Sequence, residues 1–462
     1  MEKQMIKPVS RRDFLKISAS LAALGITTSL TPDLLFAQSK TDLKGITIDY
    51  WAMIHQQNPV IRELSVAIIK AFEQKTGCKV KVTWAGYGDI IGPKYRTNFI
   101  ADKKPTVFDA FCRWTGALRG FLRPLNDFAE NDWDGKTLDN ISWLFPVVKD
   151  QNRGYADKDQ IKDLPFLALS QAPVLTRRDH WEKAGLDFDK EWPIKDTGHF
   201  VEILQVMKDK KVAEYPYEVY GKLWDAGDTQ LPGWIRSLDP SKADFINEDW
   251  TRSNGDAESW IKGVQFYVDL FRKYNFSSPN SPQSSDEESV EQLIQGRKSI
   301  VHCDLLNRGT LLKRLPAEMA NGTIQWAPHF PISGGQADYV GFNSNASFSI
   351  VKQEGPDAQI KEKAAWEFIK EWFLEENQIA LASALGPCAR KDLWNTQFGT
   401  PDKYMESTVP MLKKPQAWTN HAKGVDLQYN LFAPHIQKAL QGADVAVELK
   451  AYAAEANKVL QG

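Results

Sequence analysis

The chain has 462 residues, 42% of them hydrophobic, which is enough to bury a large core divided over two or three domains. The formal net charge is −2, and without residues 1–37 it is −4, with 52 basic against 56 acidic groups; this mild acidity gives a nucleic-acid partner no electrostatic support, and none is expected. Four widely spaced cysteines (Cys78, Cys112, Cys303 and Cys388), without a Cys-x-x-Cys or Cys/His cluster, exclude a structural zinc site and a thioredoxin-like centre.

At the N-terminus, Ser10-Arg11-Arg12-Asp13-Phe14-Leu15-Lys16 precedes an apolar run over Ile17–Leu30 and then Leu35-Phe36-Ala37. Paired arginines, a moderately apolar segment and a small residue at the cleavage point form a twin-arginine signal peptide, so residues 1–37 are set apart from the fold. Export would then involve the twin-arginine translocase and deliver the protein to the periplasm or another extracytoplasmic space. No later stretch approaches 18 consecutive apolar residues, and the mature chain is expected to be soluble.

Gly45–Met53 alternates like a strand, Pro59–Gln74 places Ile61, Leu64, Ile68 and Phe72 on one helical face, and Cys78–Trp84 reads as a second strand. A helix over Ile91–Ala101 and a third strand over Val107–Arg113 complete a strand–helix–strand–helix–strand order, which predicts parallel strands in an open α/β sheet. Ligands of such sheets sit beyond the carboxyl ends of the strands, and the residues there are Trp51, Tyr87, Asp89, Arg113 and Trp114. Polar residues 131–162 read as irregular surface. Helices are expected over Phe200–Lys211 and within Asn254–Asn275, the latter capped by Asn254 or Asp256. The Ser/Pro/Asp-rich stretch Ser277–Glu288 reads as a mobile surface loop. In Gly341–Arg390 a small-residue polar loop enters a buried strand, Phe348–Val351, followed by a helix with Ile360, Ala364, Phe368, Ile369, Trp372 and Phe373 on one face and a stop at Gly386-Pro387. Asp426–Gly442 and Ala443–Leu460 form a helical tail.

Several of these segments, in this order, resemble the extracellular solute-binding proteins of ABC transporters, in the sugar-binding branch. The carriers are Phe121-Leu122-Arg123-Pro124-Leu125-Asn126-Asp127; Ala172–Arg177 with Trp181-Glu182-Lys183-Ala184-Gly185-Leu186; Val290–Arg308; Gln325-Trp326-Ala327-Pro328; Ala364–Lys370; and Gly386-Pro387-Cys388-Ala389-Arg390. The resemblance covers about residues 44–460. It implies a two-lobed α/β fold of the type II periplasmic-binding-protein kind, in which crossover strands join the lobes and ligand lies in the cleft between them. The expected lobes are residues 44–172, with part of the C-terminal region returning to them, and 173–460 with the helical tail; the stretch Gly341–Arg390 would then line the second lobe's face of the cleft.

The resemblance further implies a monomer that captures a mono- or oligosaccharide by hinge closure and delivers it to the permease subunits of an ABC importer. No enzymatic activity and no cofactor are expected: Gly-x-Ser-x-Gly, Gly-x-Gly-x-x-Gly and phosphate-loop motifs are missing, and no two of the seven histidines stand at i, i+4. Sixteen tryptophans supply flat surfaces for sugar faces, of which Trp51, Trp114, Trp224, Trp234 and Trp326 are the candidate platforms, Trp234 and Trp114 foremost. Asp89, Arg113, Asn343, Asn345 and Arg390 are the candidate groups for sugar hydroxyls. Where many family members carry Gly-Gly-Trp, this chain has Ser344-Asn345-Ala346, which points to a more polar or smaller ligand. A charged solute (sugar phosphate, uronate or polyamine) and a secreted carbohydrate-active enzyme stand as alternatives. A Cys303–Cys388 disulfide within the second lobe is an alternative to free buried thiols.

Overall fold

The computed structural model describes residues 42–52, 59–84, 93–101, 103–132, 160–171, 173–223, 226, 230–303, 307–384, 416–417 and 421–461. Strand β1 (Thr47–Ala52) leads into helix α1 (Pro59–Thr76), β2 (Lys79–Trp84), α2 (Pro93–Ile100) and β3 (Val107–Phe111). β1 pairs in parallel with both β2 and β3, as the alternating apolar runs and the intervening helices require. The third strand is shorter than expected, because α3 (Cys112–Leu118) begins directly after Phe111 and takes up Arg113 and Trp114. Helix α4 (Asn126–Asp132) and strand β4 (Leu164–Gln171) follow; most of the predicted irregular stretch 131–162 lies outside the described residues.

The chain then crosses to a second, three-stranded sheet. It holds β5 (Val174–Arg177), after which come α5 (Arg178–Ala184), α6 (Thr197–Asp209), α7 (Leu231–Leu238), α8 (Glu258–Arg272) and α9 (Asp286–Ile294). β6 (Ile300–His302), α10 (Asn307–Arg314) and β7 (Ile324–Ala327) complete it, and β5 pairs antiparallel with both β6 and β7. Helix α5 ends on Gly185 at φ 75°, a left-handed cap that glycine adopts without a Cβ clash.

Strand β8 (Phe342–Ile350) returns to the first sheet, whose order is β2-β1-β3-β8-β4, and it pairs antiparallel with β3 and β4. This corrects two expectations. The small polar run at residues 342–347 is strand rather than loop, because a position between two strands satisfies its backbone groups whatever its side chains. The stretch also belongs to the first sheet, not to the second lobe's face of the cleft: α11 (Ala358–Trp372) and α12 (Glu375–Ala384) pack against α1, β1, β4 and β8. Tyr50, Phe72, Phe348, Phe368 and Trp372 interlock there, ring on ring.

A short β9 (Gln416–Ala417) lies beside the start of β8, and the tail consists of a π-helix (Asp426–Phe432), α13 (Ala433–Gln441) and α14 (Val445–Gln461). The predicted Ser277–Glu288 surface loop is instead pinned to the interior. Ser277, Ser281, Ser284 and Ser285 are all buried, and the fully buried Glu218 accepts hydrogen bonds from Ser278 Oγ at 2.8 Å, Ser284 Oγ at 3.1 Å and Ser281 Oγ, and an ion pair from Lys298. A buried carboxylate needs such donors, and the serine-rich stretch supplies them. The Asn254 cap is likewise replaced: its Nδ2 donates to Asp244 and Ile246 carbonyls, while Ala257 precedes α8 without a side-chain cap. Cys78 and Cys303 are both buried, and Cys388, the other half of the alternative disulfide, lies outside the described residues.

Candidate functional site

The carboxyl ends of the three parallel strands each deliver an indole. Trp51 is the penultimate residue of β1, half-buried, with its ring edge-on to Phe99 at 6.1 Å. Trp84 closes β2, also half-buried, and the Arg62 guanidinium stands 4.9 Å from its ring centroid. Trp114 lies one turn into the helix that continues β3, and its ring is stacked on Tyr429 of the π-helix at 5.7 Å and 11°. The helix that carries Trp114 is tied down by Thr115 Oγ1, which donates to the buried Asp163, and by Arg119 Nη2, which donates to the Gln160 carbonyl at 2.9 Å. Behind the strands, Tyr50 Oη donates to the buried Asp109, cross-linking β1 to β3.

The chain re-enters the first sheet at Gly341, and here the second unit holds it. Arg236 of α7 donates from Nη1 to the Gly341 carbonyl at 2.6 Å, with its guanidinium 5.3 Å from the Tyr339 ring centroid. Burial lowers this guanidinium to about 10, so it is a fixed cation at neutral pH. On the same helix Ser237 Oγ accepts from the Ile332 N–H at 3.1 Å, and its carbonyl accepts from Gln336 at 2.8 Å. The crossover is therefore laid along α7 before it becomes β8.

The predicted platforms separate. Trp51 and Trp114 stand at the strand ends. Trp234 does not act as a platform in this structure: it lies on helix α7 with 0% exposure, enclosed by Phe266, His302, His329 and Phe330. Its helix was unmarked in the sequence because Pro232 and Gly233 sit in its first turn, yet Leu231, Trp234 and Ile235 form a buried face. Trp326 on β7 is 5% exposed and packs in the core that reaches from the first sheet to one face of the second. Asn343 and Asn345 occupy β8 register positions opposite Ser170 and Ala168, and Arg113 precedes Trp114 on α3. Tyr87, Asp89, Trp224 and Arg390 lie outside the described residues. Sequence reasoning missed Trp84 and Tyr429; the first ends a predicted strand as Trp51 does, whereas nothing local marks the second. Among the described residues no group of three or more His, Cys, Asp or Glu could hold a metal ion.

A profile of the bacterial extracellular solute-binding protein family matches residues 58–379. Among solved structures, an ABC transporter solute-binding protein of Thermotoga lettingae bound with α-D-tagatose is similar at TM-score 0.74 and 19% identity, over 90% of this chain and all of that one. One from Agrobacterium radiobacter in complex with ribitol gives 0.72 and 18%, over 91% of this chain and 100% of the other. The Thermus thermophilus maltotriose-binding protein, bound with maltotriose, gives 0.69 and 16%, over 89% and 100%. The fold is thus the two-lobed type II periplasmic-binding-protein fold.

Proposed function

The chain belongs to the bacterial extracellular solute-binding proteins, and from that premise we propose that it captures a neutral carbohydrate or polyol and presents it to the permease of an ABC importer. The observation that carries this reading is the pair of half-buried indoles, Trp51 and Trp84, at the carboxyl ends of two parallel strands, where such sheets bind ligands. Flat apolar rings suit the C–H faces of sugars, and the polar β8 positions Asn343 and Asn345 suit their hydroxyls. Tagatose, ribitol and maltotriose in the similar structures support the ligand class. The twin-arginine pattern at Ser10–Lys16 supports export in the folded state, and binding without turnover accords with the family. Tyr87, Asp89, Trp224 and Arg390 complete the proposed ligand shell from the segments beyond the described residues.

The test is a thermal-shift screen of mature protein against D-tagatose, ribitol, maltotriose, a sugar phosphate, a uronate and spermidine. A ligand at 100 times its Kd stabilises by about 2.7 kcal/mol, a clear rise in Tm. A neutral sugar or polyol is expected to raise Tm and to be recovered unchanged, and Trp51→Ala to weaken its Kd at least tenfold, or about 1.4 kcal/mol. A shift with only the charged solutes, or release of hydrolysis products, would overturn the proposal.

A further inference from the structure

The π-helix Asp426–Phe432 faces two cores at once. Leu427 and Phe432 are buried with α7, α8, α13 and α14 of the second unit. Tyr429 and its preceding-turn neighbour Val425 instead join the core that reaches from the first sheet to one face of the second. Leu427 and Tyr429, two positions apart, stand on opposite sides of the helix and so point into different cores, and π-helical turns recur at functional sites. Where Tyr429 meets the first unit it lies face to face with Trp114, at 5.7 Å and 11°. Both rings are buried, at 4% and 8% exposure, and the Trp114 indole N–H is enclosed without a hydrogen-bond partner. Trp114 is held on its own side by Thr115 on α3 and by Arg119 just after it, and Tyr429 by a helix packed on α13 and α14. Neither ring can follow the other if the two units separate, so the stack must open when they do.

We propose that Tyr429 is a positioning residue: from the second unit it clasps the Trp114 ring of the first, and the stack sets the separation of the two units. The proposal rests on the solute-binding reading for its consequence, since a protein that binds by closing two lobes has its apparent affinity scaled by the population of the closed arrangement. Losing the clasp then weakens every ligand by the same factor, whereas losing a ligand contact changes the preference among ligands.

The clasp can be read with no sugar present. Nitroxides at Val66→Cys on α1 and Val447→Cys on α14 report the separation; both sites are exposed, at 40% and 63%. Cys112→Ser and Cys388→Ser remove two other thiols, while Cys78 and Cys303 are buried. Electron–electron double resonance on the full mature chain should show Tyr429→Ala moving the distance distribution to longer, broader values. Tyr429→Phe, which keeps the ring, should retain the parent distribution. Trp114→Ala should give the same shift, and the double variant no more than either alone. Tyr429→Leu keeps apolar volume without a flat face and serves if the alanine variant loses its far-UV circular dichroism; it too should shift. Distributions that superimpose on the parent, or effects of Tyr429→Ala and Trp114→Ala that simply add, would overturn the clasp. A sugar screen in which nothing binds would overturn the proposed function while leaving this distance measurement intact.

Discussion

His302 and His329 lie ring to ring at 4.6 Å in the middle of the second unit, and both are buried. Tyr217 Oη sits 2.7 Å from His302 Nδ1 and also accepts from Gln230 Nε2, while the two His329 nitrogens face the carbonyls of Phe330 and Gln230 at 2.8 and 3.0 Å. Burial holds His329 down to about 4 and His302 well below its ordinary value, His302 being further lowered by its neighbour ring. Both imidazoles are thus neutral when folded and take up protons on unfolding. The sign follows: stability is full above the unfolded value near 6.5 and falls as pH drops from there toward 4. Each histidine contributes a slope of up to about 1.4 kcal/mol per pH unit. Urea midpoints should therefore fall between pH 7.5 and 5, and His302→Phe should flatten that decline; a parent protein with equal midpoints at both values would contradict the assignment. Trp234 fills the same cluster, which is why an indole that looked available in the sequence is committed to packing.

Elements in the second unit are joined by close backbone approaches that no periodicity reveals. Gly221 donates its N–H to the Ser281 carbonyl at 2.8 Å and accepts from Gln437 Nε2 of α13 at 2.9 Å. A Cβ there would stand 2.4 Å from Pro282 Cα and 2.7 Å from Ser281 O, backbone atoms that cannot rotate away. Gly221→Ala should cost about 1–3 kcal/mol through displacement of the serine segment from Glu218, seen as a lower Tm with an unchanged fold. An alanine variant as stable as the parent would show that the segment yields freely. The same segment feeds α9 through a capping box, in which Ser285 Oγ accepts from Glu288 N–H and the Glu288 carboxylate accepts from Ser285 N–H. Its Ser-Ser-Asp-Glu-Glu composition therefore starts a helix at one end and satisfies a buried carboxylate at the other.

At the scale of the molecule, the two sheets are joined by the chain crossing at Gln171–Val174, the Gly341 crossover held by Arg236, the Trp114–Tyr429 stack, and an apolar core shared between the first sheet and one face of the second, with α10 against α1. The first two are connections that hinging must bend, and the third is a contact that hinging must break. If sugar is bound between the units, small-angle scattering should record a smaller radius of gyration, or an unchanged one where the clasp already holds the units together; expansion on binding would be incompatible with closure.

Legible in the sequence alone were the local α/β order of the first sheet, the amphipathic helices and the family's overall arrangement. These depend on periodicities of 2 and 3.6 and on capping chemistry, which neighbouring residues carry. Tertiary structure alone decided which sheet received β8, because a strand of Asn and Ser is placed by the strands that flank it rather than by its own side chains. It also decided which tryptophans are enclosed. Trp51 and Trp234 are the same residue type, and it is the packing of His302, His329 and Phe330 around the second that encloses it. Tyr429 and Trp114, 315 positions apart in the numbering, meet solely because two units fold against each other, a long-range consequence that no local pattern encodes.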